Sequence, residues 1–111
     1  MKYSKSELFD AVVFKIGSKM QGGPEAEDFH NDIAVCIESG NKKVIMDLSD
    51  VKYVSSTGMG IMVRALTTLR NNEGDLKLAG LSTKVEGLLS ITKFSDIVEN
   101  FPTVEEAANS F

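Results

Sequence analysis

Apolar positions along the chain fall into runs of two periods, and their order sets the fold class. Ala11-Val12-Val13-Phe14-Lys15-Ile16 is dense in β-formers and closes at Gly17, which reads as a strand. Tyr3 to Leu8 alternates weakly, with Lys5 and Glu7 toward water, as an edge strand does. Ser18 to Gly23 reads as a loop. From Pro24 the period becomes helical: Ala26, Phe29, Ile33, Cys36 and Ile37 share one face. Pro24 suits a first turn, Glu25, Glu27 and Asp28 crowd the positive end of the dipole, and Gly40 is the stop. Val44 to Leu48 is a compact apolar run with the length of a buried strand. Ser49-Asp50 turns the chain, and Val51 to Val54 carries it to Ser55-Ser56-Thr57-Gly58-Met59-Gly60.

The helical period then returns. Met59, Met62, Leu66 and Leu69 recur along one stripe, flanked by Ile61 and Ala65. This helix is expected from about Gly58 to Asn72 and stops at Asn71-Asn72-Glu73-Gly74. Asp75 to Ala79 is the next strand, with Leu76 and Leu78 on one side and Lys77 facing the other way. Thr83-Lys84-Val85-Glu86 has the form of a capping box and opens a short helix carrying Val85, Leu88 and Leu89. Phe94 to Asn100 fits neither period; Ile97-Val98 is the candidate for a short last strand, and Pro102 ends it. Thr103-Val104-Glu105-Glu106 is a second capping-box match and opens a terminal helix. The order is β-β-α-β-α-β-α-β-α. It predicts an α/β domain with a mixed sheet, antiparallel at the start and parallel where helices cross over.

Composition narrows the function classes. At 111 residues the chain is expected to be one domain, 1–111, large enough to hold a core without staples. The net charge of −4 argues against a nucleic-acid binder, which presents a basic face. Cys36 is the only cysteine, so no internal disulfide forms, which fits a reducing compartment. No apolar run has signal-peptide or transmembrane length, so a cytoplasmic protein is expected, without nucleic-acid or membrane partners.

Candidate chemistry concentrates at Ser55, Ser56 and Thr57. A helix N-terminus offers unpaired N–H groups and the positive end of the dipole, a good seat for phosphate. The same residues are also favoured N-caps, and from spacing alone the capping role leads. Gly58-Met59-Gly60 lacks the spacing of either nucleotide-binding glycine loop and reads as tight packing of the helix start. Met59 is equally compatible with core burial and with an exposed contact beside Ser56. Cys36 reads as core and His30, the only histidine, as surface. Asp47 is expected at a strand end and Asp50 in a turn, not as a carboxylate pair. Lys42-Lys43 is a solvated strand entrance.

Asp47-Leu48-Ser49-Asp50-Val51-Lys52-Tyr53-Val54-Ser55-Ser56-Thr57-Gly58-Met59-Gly60 resembles the signature of STAS domains, and more narrowly that of bacterial anti-sigma factor antagonists. In that family the strand ends in Asp-Leu-Ser and the next loop reads Asp-Ser-Ser-Gly-Leu-Gly or close variants. The element order agrees over nearly the whole chain, as does the closing Thr103-Val104-Glu105-Glu106-Ala107. The resemblance implies a four- or five-stranded mixed sheet with helices mainly on one face. It also implies a partner switch: the unmodified domain binds an anti-sigma factor that is a serine kinase, phosphorylation releases it, and a protein phosphatase resets the domain.

By resemblance the phospho-acceptor is Ser56, and the partner contact takes in Ser55, Ser56, Thr57, Gly58, Met59 and, on the exposed helix face, Arg64. ATP and Mg²⁺ then belong to the kinase; the domain itself is expected to carry no cofactor and no metal, and to be no enzyme. Two departures stand out. Ser55 occupies the position where the family usually has Asp, which removes a negative charge beside the acceptor. After Gly17 the loop reads Ser18-Lys19-Met20-Gln21, where the family often has an Asp. Two other readings compete. One is an unphosphorylated STAS scaffold or accessory subunit of a signalling or transport complex. The other is a small enzyme or nucleotide-binding domain of similar layout, against which the missing histidine cluster, metal set and phosphate loop all count.

Overall fold

The apolar runs pair into one sheet, and the helices between them carry the chain from strand to strand. A computed structural model describes residues 1–111. In order it contains β1 (Tyr3–Leu8), β2 (Ala11–Ile16), β3 (Lys19–Met20), α1 (Pro24–Glu38), β4 (Lys43–Asp47), β5 (Tyr53–Val54) and α2 (Ser56–Asn71). There follow β6 (Asp75–Ala79), α3 (Thr83–Ile91), a 3-10 turn at Phe94–Asp96, β7 (Glu99–Phe101) and α4 (Val104–Asn109). The main sheet has five strands in the order β1-β2-β4-β6-β7. β1 is antiparallel to β2; every later neighbour is parallel. The first pair is a hairpin whose turn residues, Phe9 and Asp10, are both left-handed at φ 48° and 68°, as a two-residue type I′ turn requires.

The two faces of the sheet are unequal. On one, Val12, Phe14, Ile16, Val44, Met46, Leu76 and Leu78 join the apolar stripes of α1, α2 and α3 in a single core. Burying each such side chain contributes roughly 1.5–3 kcal/mol. Tyr3, Phe14 and Phe29 form an aromatic triangle with centroids 5.1–5.9 Å apart, which ties the hairpin to α1. On the other face, Ala11, Val13, Ile45 and Ala79 are covered by Ala107 and Ala108 of α4. Small side chains on both surfaces let this short helix sit close.

Lys77 does face this second side, but it does not reach water. It is the only polar residue among those buried. Its ammonium donates to the Ser110 carbonyl at 3.0 Å and to Ser110 Oγ at 2.7 Å. Glu99 lies at 3.7 Å, and the rings of Phe111 and Phe101 flank it at 4.5 and 5.5 Å. A buried ammonium survives there because acceptors, counter-charge and ring faces replace its water.

Several boundaries differ from the sequence expectation. The loop from Ser18 contains β3, which pairs in parallel with β5. Two residues carry no period, so only the tertiary partner defines this strand. The α2 helix starts at Ser56, two residues before the expected Gly58. The cap of α3 is Ser82, whose Oγ accepts from Val85 N at 3.2 Å, so the capping box beginning at Thr83 is displaced by one residue. Thr103 caps α4 as expected, accepting from Glu106 N at 3.1 Å. Ile97-Val98 is no strand: Ile97 closes the 3-10 turn, Val98 drops into the core, and pairing starts at Glu99.

If Lys77 holds α4 in place, Lys77→Ala should cost about 1–3 kcal/mol in urea denaturation, from lost packing and orphaned acceptors. Amide exchange at Ala107 and Ala108 should accelerate more than in β4. Lys77→Met, which keeps the stem without the donors, should fall between alanine and wild type.

Candidate functional site

The hydroxyl cluster is placed by a small second sheet. β3 and β5 align Lys19 with Tyr53 and Met20 with Val54. The Ser18 carbonyl accepts from Lys52 N at 2.8 Å, and the Met20 carbonyl accepts from Ser55 N at 3.0 Å. These bonds clamp the segment after β2 onto the segment leading into α2. Met20 itself is fully buried beneath the junction.

Ser55 is the N-cap. Its backbone is extended, at φ −82° and ψ 171°, and its Oγ accepts from Gly58 N at 3.0 Å while donating to the Met20 carbonyl at 3.5 Å. The capping expectation therefore holds for Ser55. Ser56 is the first helical residue and is exposed, as is Thr57. Ser56 thus presents its hydroxyl to solvent where the α2 dipole is most positive. The first turn of α2 has no acidic residue, unlike that of α1.

The two glycines of Gly58-Met59-Gly60 have different reasons to be there. A Cβ on Gly58 would lie 2.0 Å from the Met20 carbonyl oxygen, so the helix start touches β3 directly. A Cβ on Gly60 would meet nothing within 4 Å. The tight-packing expectation holds for Gly58 and not for Gly60. Met59 lies between burial and exposure: it is half-buried, packs against the core and lines the surface beside Ser56.

Ser55 to Met59 are therefore brought together at one point. Arg64 is not. It lies about 12 Å further along α2, at 1.5 Å per residue, and pairs with Glu27 of α1 at 3.4 Å. Asp47 and Asp50 form no carboxylate pair. Asp47 Oδ1 accepts from Ser49 N at 3.0 Å, and Asp50 lies 3.6 Å from Lys15. His30 is half-buried; loss of hydration and the nearby Arg64 guanidinium hold its pKa below the usual value. Cys36 is buried, which pushes its thiol up and away from reactivity.

Sequence reasoning missed residues of α3. Val54, Leu88, Ile91 and Thr92 join Ser55, Ser56 and Met59 around a shallow groove of about 300 Å³. Ile91 is 81% exposed, more than any other large apolar residue. The available signal was an isoleucine off the Val85–Leu89 stripe of α3. A larger depression, of about 520 Å³, opens at the opposite end of the sheet among Glu7, Asp10, Lys42, Lys43, Glu73 and Asp75. It touches none of the hydroxyl cluster, and its lining is polar.

The junction geometry separates three substitutions. Gly58→Ala should cost about 1–3 kcal/mol, because the Cβ must displace the β3 backbone. Gly60→Ala should be neutral, or stabilising by up to about 1 kcal/mol, as in an open helix position. Ser55→Ala should cost about 1 kcal/mol. Denaturant midpoints for the three proteins check the order.

The fold matches solved structures over nearly the whole chain. The STAS domain family profile matches residues 5–107. The anti-sigma-B factor antagonist of Listeria monocytogenes is 44% identical over 54 residues, which are 49% of this chain and 47% of that protein. The chain thus spans about half the length of the curated relatives it matches first. Among solved structures, a candidate anti-sigma factor antagonist of Thermotoga maritima superposes with a TM-score of 0.83 at 26% identity, over 97% of this chain and 92% of that one. The Bacillus cell fate determinant SpoIIAA in its phosphorylated form shares the fold, with a TM-score of 0.75 at 16% identity over 98% of both chains. A five-stranded mixed sheet, the Asp47-Leu48-Ser49 strand end, the hydroxyl-capped second helix and a profile match over residues 5–107 lead to one assignment: the chain belongs to the STAS domain family.

Proposed function

We propose that the chain is an anti-sigma factor antagonist whose binding is switched by phosphorylation of Ser56. The observation that carries this reading is the position of Ser56. It is exposed at the first residue of α2, one step past a cap that Ser55 already supplies, so its own hydroxyl has no structural duty there. The names of the curated relatives and the phosphorylated form of a structural relative support it. The partner in this reading is an anti-sigma factor serine kinase. That kinase brings ATP and Mg²⁺, transfers the γ-phosphoryl group to Ser56 Oγ, takes up the serine proton and releases ADP. A phosphatase hydrolyses the phosphoserine to reset the switch. The chain acts by binding, in the cytoplasm, and catalyses nothing.

The unmodified surface, made by Ser55 to Met59 with Arg64 at its far edge, docks the kinase. Phosphorylation adds about −1.5 to −2 charges at neutral pH. On the domain this charge meets the N–H groups and dipole of α2, worth about 0.3–1 kcal/mol at an exposed site. In the interface it is a dianion inserted where a neutral hydroxyl fitted, and desolvating it is costly. The switch therefore acts on the partner contact and leaves the fold in place.

Incubation with the cognate kinase and ATP, followed by mass spectrometry, should place the phosphate on Ser56. Label on Ser55 or Thr57 alone would overturn the assignment. Ser56→Ala should take no label and still bind the kinase. Thermal melts of modified and unmodified protein should superimpose or favour the modified form slightly, while affinity for the kinase falls about 100-fold or more. A phosphorylated form that melts far lower, or binds equally well, would rule out a surface switch.

A further inference from the structure

The groove between the start of α2 and α3 is the least expected feature of this surface. Val54, Met59, Leu88 and Ile91 are its apolar lining, and Ser56 lines it with them. Its volume of about 300 Å³ is at the bottom of the range for small-molecule sites and suits a single large side chain. Three lysines flank its lining residues along the chain. Lys52 lies two residues before Val54. Lys84 is one turn ahead of Leu88 and, at 100° per residue, falls within about 40° of both Leu88 and Ile91 around the axis. Lys93 follows Thr92. All three are exposed, and none belongs to any of the five ion pairs. Glu86, the one acid of α3, is turned away from the Leu88–Ile91 line by the same arithmetic. In a chain of net charge −4, three lysines outside every ion pair flank the lining of this groove.

We infer that this groove is a second contact for the anti-sigma kinase, which seats an apolar side chain between Met59 and Ile91 and brings carboxylates to Lys52, Lys84 and Lys93. The inference rests on the reading of Ser56 as the switch and adds the chemistry of the partner. Shape and charge select the occupant: an apolar anchor fills the groove, and an acidic surround complements the lysines. It also explains how one phosphate can control the whole contact. Ser56 lines the groove, so its phosphate stands beside the anchor and faces the partner's acidic groups. Like charges are then opposed across the contact in the phosphorylated state and absent from it in the unmodified state.

The test is calorimetric titration of the full chain with the purified, ADP-loaded cognate kinase over a salt series. Ile91→Glu should melt like wild type, since the side chain is already in water, and should bind about 30-fold more weakly or worse. Lys52→Glu with Lys84→Glu should weaken binding most at low salt and flatten its salt dependence. Phe9→Glu, an exposed aromatic at the other end of the sheet, should change neither. If the kinase binds wild type but is indifferent to Ile91 and the lysines, the groove inference is wrong and the Ser56 reading stands. If the kinase does not bind wild type at all, both fall. Sedimentation of a wild-type dimer that becomes monomeric in Ile91→Glu would assign the groove to a second copy and overturn the inference.

Discussion

The carbonyl of Met20 organises the site. It accepts from Ser55 N, lies in reach of the Ser55 hydroxyl, and sits so close to Gly58 that a methyl group there would fall 2.0 Å from its oxygen. One acceptor thus fixes the backbone entering α2, the cap that starts it and the distance at which its first turn approaches the sheet. Ser56 is left free by this arrangement. Ser55 before it is committed to the Gly58 amide and the Met20 carbonyl, and Ser56 itself is exposed. A hydroxyl that is rigidly placed and structurally idle suits a reversible modification, because adding phosphate disturbs nothing that holds the fold.

The rest of the domain supplies rigidity to that point. Three helices pack one face of the sheet, and the apolar stripe of α2 (Met62, Ala65, Leu66 and Leu69) is fully inside that core. The helix therefore cannot tilt without breaking the main core. The second face is thinner: alanines of β2, β6 and α4 meet, and Lys77 holds the last turn of α4 through Ser110. The alanines of α4 and the apolar stripe of α2 belong to separate clusters on opposite faces of the sheet.

The local charge pattern matters more here than the net charge. An acidic chain would suggest a basic partner, yet the residues around Ser56 and the groove are neutral or cationic: Lys52, Lys84 and Lys93 exposed, and α2 with arginines but no acid. The two departures from the family pattern, Ser55 for Asp and Ser18-Lys19-Met20-Gln21 after Gly17, act in the same direction. Ser55 spends its oxygen on the Gly58 amide, as a neutral cap. Binding energy at such a surface comes from desolvated apolar anchors, and the surrounding charge sets on-rate and partner choice.

Much of this was determined by the sequence alone. The strands Ala11–Ile16, Val44–Leu48 and Asp75–Ala79 and the stripes of α1 and α2 are long enough for their period to specify which face is buried. The parallel order follows from helices placed between strands, and Ser56 was marked by the motif around it. What lacked a period could be decided only by packing. β3 exists because β5 lies beside it; β7 begins at Glu99 because Lys77 offers an edge there; Lys77 is buried because α4 returns over it. Gly58 and Gly60 look alike in the sequence, yet only Gly58 faces a carbonyl. The groove behind Ser56 joins residues from β5, α2 and α3 that no local spacing connects, since each helix stripe encodes its contact with the core and not its distance from its neighbour.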